Sequence, residues 1–269
     1  MPFLVRSWNV FHGNAVPPDR DAHLEEMVHL ATADDPDVLC LQEVPLWSVE
    51  HLARWSGMAA VAAVAAPPRF GPLPSTAAIG HALTRLHHGL LRSAFTGQAN
   101  ATLVSRRLRV VEDRTVVLNE PRFRRAQACW LGLDLVARLA WAKERRVCLV
   151  VRVALPDGAT ALVANLHATS FAADQRLADA ELRRAAAFVD GLAGPSEPVL
   201  LCGDTNVPAA RSRTMPDLAA GGYSAPGPGI DQVLVRGLPS SAPTAWPEDR
   251  RRVDGRLLSD HAPVEVSVG

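Results

Sequence analysis

Short apolar or β-branched runs recur along the whole chain, at residues 3–10, 38–41, 102–105, 146–153, 161–164, 199–202, 230–235 and 264–268. Most are of strand length and are separated by polar or Gly/Pro-rich connections, so each predicts a β-strand. Helical spacing appears in fewer places. Leu24, Met27, Val28 and Ala31 share one face after the start signal Pro17-Pro18-Asp19, and Ala178, Leu182, Ala185 and Val189 share another. Many strands with few helices predict stacked sheets flanked by helices rather than a regular alternation of strand and helix.

Loop punctuation is dense at residues 67–74, 194–198 and 226–229, yet none of these stretches separates compositionally different halves. A single domain over residues 1–269 is expected. The odd piece is residues 59–97, where a Pro-rich loop precedes Ile79, Leu83, Leu86 and Leu90, spaced as one helix face. It reads as a helix packed on the core, or as an insertion lining a substrate cleft.

Composition narrows the function classes. With 48% hydrophobic residues in 269, the chain can bury a sizeable core, and its 28 basic residues balance 28 acidic ones. It therefore lacks a global positive field, and a nucleic-acid substrate is allowed but not advertised. Cys40, Cys129, Cys148 and Cys202 each sit in an apolar run with no CxxC pair, so all four are expected to be reduced core residues. Phe3 to Trp8 already look like a strand rather than a signal segment, which gives the cytoplasm as the expected location. The weakly polar stretch 58–66 is too short to cross about 30 Å of hydrocarbon, so no membrane span is expected. No protein partner is inferred.

The candidate chemistry lies at strand ends. Leu41-Gln42-Glu43 places a carboxylate where an apolar strand emerges, a fit place for a metal ligand or for a salt-bridged cap, and Trp8-Asn9 closes the first strand. Asn165-Leu166-His167 ends another strand with Asn165 and His167 on one side, because side chains alternate along extended backbone. In Cys202-Gly203-Asp204-Thr205-Asn206, a glycine that lets the backbone bend is followed by two oxygen-bearing side chains, which an Asx-turn would also explain. Asp231 enters an apolar strand, a costly position unless the carboxylate is paired, and Ser259-Asp260-His261 precedes the last run. Together these supply what transfer of a phosphoryl group to water requires: oxygen ligands for a hard cation, a water-activating carboxylate and donors for developing charge.

The ordered set LQE, NxH, GDxN, ID and SDH resembles the endonuclease/exonuclease/phosphatase superfamily over essentially the whole chain. The resemblance implies a DNase I-like four-layered α/β sandwich, two packed mixed β-sheets flanked by helices with the site at one end of the sheets. It implies that Asn9, Glu43 and Asp260 hold Mg²⁺ or Mn²⁺, and that Asp204 orients or deprotonates the attacking water. Asn206 would contact the scissile phosphate, with Asn165 and His167 beside it and His167 steadying the phosphate or the leaving oxygen. Asp231 would orient His261 and keep it cationic. An arginine of Arg122-Phe123-Arg124-Arg125, with Arg125 as the choice, stands where some members bind phosphate; a solvated turn explains these residues equally well.

The pattern departs from the family at several points. Abasic-site endonucleases place a Tyr and an Asn where this chain reads Asn165-Leu166-His167, and its one tyrosine is Tyr223 in a glycine-rich loop, which argues against that activity. Thr205 and Gln232 replace residues that are often bulkier. The substrate expected is a phosphoester, with nucleic acid first. A small-molecule or lipid phosphoester is the enzymatic alternative, and a binding module without turnover is the third.

Overall fold

The computed structural model describes residues 3–70 and 73–269, so Gly71 and Pro72 of the loop read at 67–74 lie outside the described residues. The larger sheet has six strands in the order β13 (Thr244–Ala245), β16 (Val264–Val268), β1 (Phe3–Asn9), β3 (Val38–Val44), β7 (Gln98–Val104) and β4 (Ala59–Ala66). The second has five: β12 (Asp231–Arg236), β11 (Val199–Asp204), β10 (Thr160–His167), β9 (Val147–Ala154) and β8 (Arg109–Val117). Small ribbons formed by β2 (Ala15–Val16), β14 (Arg252–Val253) and β15 (Arg256–Leu258), and by β5 (Arg69–Phe70) and β6 (Leu73–Pro74), decorate the rim.

Each main sheet is mixed, with one parallel pair, β1 beside β3 and β10 beside β11, among antiparallel neighbours. The inner faces meet in one apolar layer, in which Val5, Val38, Cys40 and Val104 pack against Leu149, Val151, Val163, Leu200, Cys202 and Val233. On the outer face of the larger sheet, Leu24, Met27 and Val28 of α1 (Leu24–Thr32) and Trp55 of α2 (Leu52–Ser56) cover Trp8, Leu39 and Leu41. Ala178, Leu182, Ala185 and Val189 of α7 (Arg176–Leu192), with Met215 of α8 (Thr214–Ala220), cover Val150, Leu162, Ala164 and Leu201 of the other sheet. The result is the four-layered sandwich that the ordered motifs implied, and it explains why the central strands read as unbroken apolar runs: they are buried on both faces.

Several elements differ from the expectation. Residues 59–66, to which the apolar pattern assigns no element, form an edge strand with Ala63 and Ala65 facing the apolar layer. Alanine is a poor strand former, so pairing with β7 rather than propensity makes this strand. The stripe is broken, with Ile79 and Leu83 on α3 (Ala77–Thr84), Leu86 in the turn that follows and Leu90 on α4 (His88–Phe95), and Ile79, Leu86 and Leu90 are exposed, so it does not pack on the core. Arg122 to Arg125 lie on α5 (Pro121–Trp130), not in a turn; Pro121 stands where its missing N–H costs no helical hydrogen bond. Helix α6 (Leu135–Lys143) follows, capped by Asp134. Asp19 does not cap α1, which begins at Leu24; it binds the His23 imidazole instead. Cys129 is exposed on α5, whereas Cys40, Cys148 and Cys202 are buried.

Candidate active site

Strand register alone lines up three of the expected side chains. His167 pairs with Asp204 across the parallel strands β10 and β11, and Asp204 pairs with Asp231 across β11 and β12. Gly203 permits this closeness: it adopts φ +133, and a Cβ there would meet the Leu166 carbonyl oxygen at 1.9 Å. His261, from the loop before β16, places Nδ1 2.8 Å from Asp231 Oδ2 and Nε2 3.8 Å from Asp204 Oδ2. Asn206, at φ 49, donates its backbone N–H to Asp204 Oδ1 and its side-chain amide to the Ala168 carbonyl. Thr205 ties the same turn to the Ile230 carbonyl, and Gln232 braces the loop at Gly227 and Gly229, which gives these two departures a shared task of shaping the site's loops.

The opposite sheet contributes from the ends of β1 and β3. Asn9 donates from Nδ2 to Asp204 Oδ2 at 3.0 Å. The β3–β7 register slips between Leu41 and Val44, and Glu43 within that irregularity has φ 56, which turns its carboxylate out of the ladder. Glu43 Oε1 lies 3.7 Å from His167 Nε2, and Oε2 lies 3.2 Å from His12 Nε2. His12 is buried in a short turn after β1.

Electrostatics set the protonation states. Burial and the Asp231 charge push the Asp204 carboxyl up to about 7, against the pull of His261 and Asn9. Burial opposes charge on His261, but the hydrogen bond and charge of Asp231, with Asp204 and Asp260, lift its imidazole to about 10. Burial, and then the nearby Arg146, His261 and His12, hold His167 well below the usual 6.5, so it is neutral at neutral pH. Arg146 Nη1 sits 3.1 Å from His167 Nδ1. The same Nη1 lies 3.4 Å from Nε2; since a guanidinium only donates and its shorter contact is to Nδ1, the proton is assigned to Nε2, which faces the Glu43 and Asp204 carboxylates.

Not every expected residue joins this cluster. Asn165 is fully buried, its amide donating to the Leu41 and Ala101 carbonyls and its oxygen accepting from Gln42; it clasps the two sheets together and does not face the cleft. Asp260 is exposed, and its charge adds to the rise of the His261 imidazole. Arg125 is exposed on α5, beside a cavity of about 370 Å³ that Arg124, Arg138 and Trp141 also line; Arg146 reaches the His167 ring, and Arg251 donates to the His261 carbonyl. His12 and Arg146 escaped the sequence reading. His12 lies three residues beyond Asn9, and Arg146 opens the run 146–153 directly after Glu144 and Arg145, signals too slight to separate them from turn and strand-end residues.

The donor set suits a hard divalent cation. A ligand atom from each of Asp204, Asp231 and His261 lies within 4.8 Å of the other two, and Asp231 Oδ1 is buried without a hydrogen-bond partner among the described residues.

Residues 7–261 match the profile of the Endonuclease/Exonuclease/phosphatase family. No curated protein sequence matches the chain. Among solved structures, a mannosyl-6-phosphatase from Bacteroides thetaiotaomicron superposes with a TM-score of 0.66 at 17% identity, over 99% of each chain. The human nocturnin catalytic domain with bound sulfate anion gives 0.62 at 17% identity, over 100% of this chain and 93% of that one. Truncated TDP2 from Caenorhabditis elegans gives 0.61 at 15% identity, over 100% and 97%. At such identities the likeness is one of fold.

Proposed function

This chain belongs to the endonuclease/exonuclease/phosphatase family, and from that premise we propose that it is a divalent-cation-dependent hydrolase of phosphodiesters, nuclease-like in its choice of substrate. The observation that carries the reading is the convergence, at one end of the two sheets, of Asp204, Asp231, His167 and His261 from one side with Asn9 and Glu43 from the other.

In this reading Asp204, lifted to about 7, takes the proton of the attacking water, the range in which a carboxylate is an effective base at neutral pH. His261, held cationic by Asp231, faces the phosphoryl oxygens as charge builds on them. His167 offers its Nε2 proton to the phosphate or the leaving oxygen, steadied by Arg146. Asn206 supplies a further donor. Mg²⁺ or Mn²⁺ would be held by Glu43 and Asn9, with Asp260 at the rim, and would supply charge stabilisation at the phosphate. The compact trio Asp204, Asp231 and His261 is the second candidate for holding the cation. It is the weaker one, because a protonated imidazole has no lone pair to give. Loss of cation affinity in Glu43→Gln but not in His261→Ala supports the first arrangement; the opposite pattern supports the second.

Residues 1–269 are read as one domain, with the 59–97 segment as a wall of the cleft. His88 of α4 donates from Nε2 to the His12 carbonyl at 2.7 Å, which links that segment to a residue touching Glu43. The zero net charge keeps a small-molecule or lipid phosphoester as the alternative substrate. A panel of nucleic acids, nucleotides, sugar phosphates and phospholipids, run with Mg²⁺, Mn²⁺, Ca²⁺ and chelator at several salt concentrations, tests both readings. Preferred cleavage of nucleic acid that weakens steeply with salt supports the nuclease reading, and preferred, salt-tolerant cleavage of a small ester overturns it.

A further inference from the structure

Strands β8 and β9 pair antiparallel with Val117 opposite Val147, so a tight hairpin would suffice to join them. The chain instead spends residues 118–146 on the α5–α6 pair. This excursion leaves the sheet where Arg146 meets His167, and therefore stands beside the candidate active site.

Helix α6 is apolar on two sides. Ala137 and Trp141 are buried with Ala128, Leu133 and Leu177. At about 100° per residue, Leu135, Val136 and Leu139 fall on one arc, facing roughly away from that buried pair. They are 70%, 65% and 62% exposed, and Trp130 at the end of α5 is 72% exposed. A helix with apolar residues on both sides is normally covered on both, and a cluster of large apolar side chains in water marks an interaction surface.

The charges around the patch say what covers it. Its acidic groups are engaged: Glu120 pairs with Arg184, Asp134 caps α6 at the Ala137 N–H, and Glu144 pairs with Arg146. Arg122, Arg125 and Lys143 are exposed and form no ion pair among the described residues. A second copy of the chain would set these cations against their own kind in a symmetric contact. Nucleic acid would satisfy the cations and leave the aliphatic side chains wet. An anionic lipid surface accepts both, with Leu135, Val136 and Leu139 entering the headgroup and acyl boundary and the basic side chains meeting lipid phosphates. We propose that the α5–α6 face docks this protein on an anionic lipid surface.

Docking does not require turnover, so it can be measured apart from the proposed chemistry. The full chain is sedimented with vesicles of phosphatidylcholine alone and with vesicles that also contain phosphatidylserine. About tenfold or greater preference for the anionic vesicles is expected, with Leu135→Asp/Leu139→Asp reducing binding about tenfold or more. Arg122→Glu should weaken it about fivefold or more. Because these residues are exposed, the melting temperature and hydrolysis of a small water-dissolved phosphodiester should stay unchanged. Equal binding to both vesicle types, or full binding by the double aspartate variant, would overturn the proposal. So would a concentration-dependent dimer that the double variant disperses, which would assign the face to a second copy.

Discussion

Replacing Asp231 by Asn tests whether His261 is held charged by its partner. The rise of His261 from 6.5 to about 10 corresponds to roughly 5 kcal/mol of preference for the imidazolium. Burial works against that preference, and Asp231 is its largest source, through both hydrogen bond and charge, with Asp204 and Asp260 adding less. Asn keeps a carbonyl acceptor but loses the charge, so burial should win and the His261 imidazole should titrate near or below neutrality in the variant. An NMR titration of the metal-free protein reads this directly. The sign for stability follows from the raised value: the pair's contribution is fully present below 6.5 and is lost as pH rises through about 10, so the wild type should lose stability on that limb and Asp231→Asn should not. In turnover at neutral pH, Asp231→Asn and His261→Ala should each slow the rate by about 10² or more, with the double variant little worse than the worse single one. A His261 that still titrates near 10 without Asp231, or purely additive losses, would refute the dyad.

Glu43→Gln should weaken apparent cation affinity, measured by titration calorimetry with Mg²⁺, and excess metal should restore part of the rate; unchanged affinity removes Glu43 from the cation. Shortening the segment between β4 and β7 should alter preference among large substrates more than cleavage of a small activated phosphodiester, whereas equal loss on all substrates with a lower melting temperature would make the segment core. Arg6 is buried between Asp34 and Glu265, with its guanidinium 4.4 Å from the Trp246 ring centroid. Hydrogen bonding from Arg6 lowers the Asp34 carboxyl below 3.8; burial raises that of Glu265, but hydrogen bonds from Trp246 and Arg6 outweigh it and bring it below 4.5. Their stabilisation is therefore present above those ordinary values and is lost as pH falls through the lowered ones. Melts over this range should show Glu265→Gln about 1–3 kcal/mol less stable near neutrality, with a shallower acid limb.

The sandwich was legible wherever a strand is buried on both faces, because such strands must be unbroken apolar runs; 38–41 and 199–202 are examples. Strand β4 was not, since its alanines carry no strand preference and pairing with β7 alone decides their conformation. Helices α5 and α6 were hidden because their apolar residues do not form one stripe; α6 has two, and one of them faces water. At the site, Asp204, Asp231, His167 and His261 could be picked out because each is a polar residue at an apolar strand's end or just before one. Asn165 carries the same local signal but sits two residues deeper in β10, which converts a cleft-facing amide into a clasp between sheets. His12 and Arg146 reach the cluster only through tertiary packing, which no local pattern encodes.

The central claim, that water attacks a phosphoester under the control of Asp204, is tested most directly by comparing the wild type with Asp204→Asn on an activated phosphodiester, with Mg²⁺ or Mn²⁺ and with chelator. The wild type should turn over only with the cation, and the variant should keep its fold and substrate binding while its maximal rate drops by about 10² or more, the scale of a lost general base. Full turnover in chelator, or an Asp204→Asn enzyme as fast as the wild type, would contradict the account.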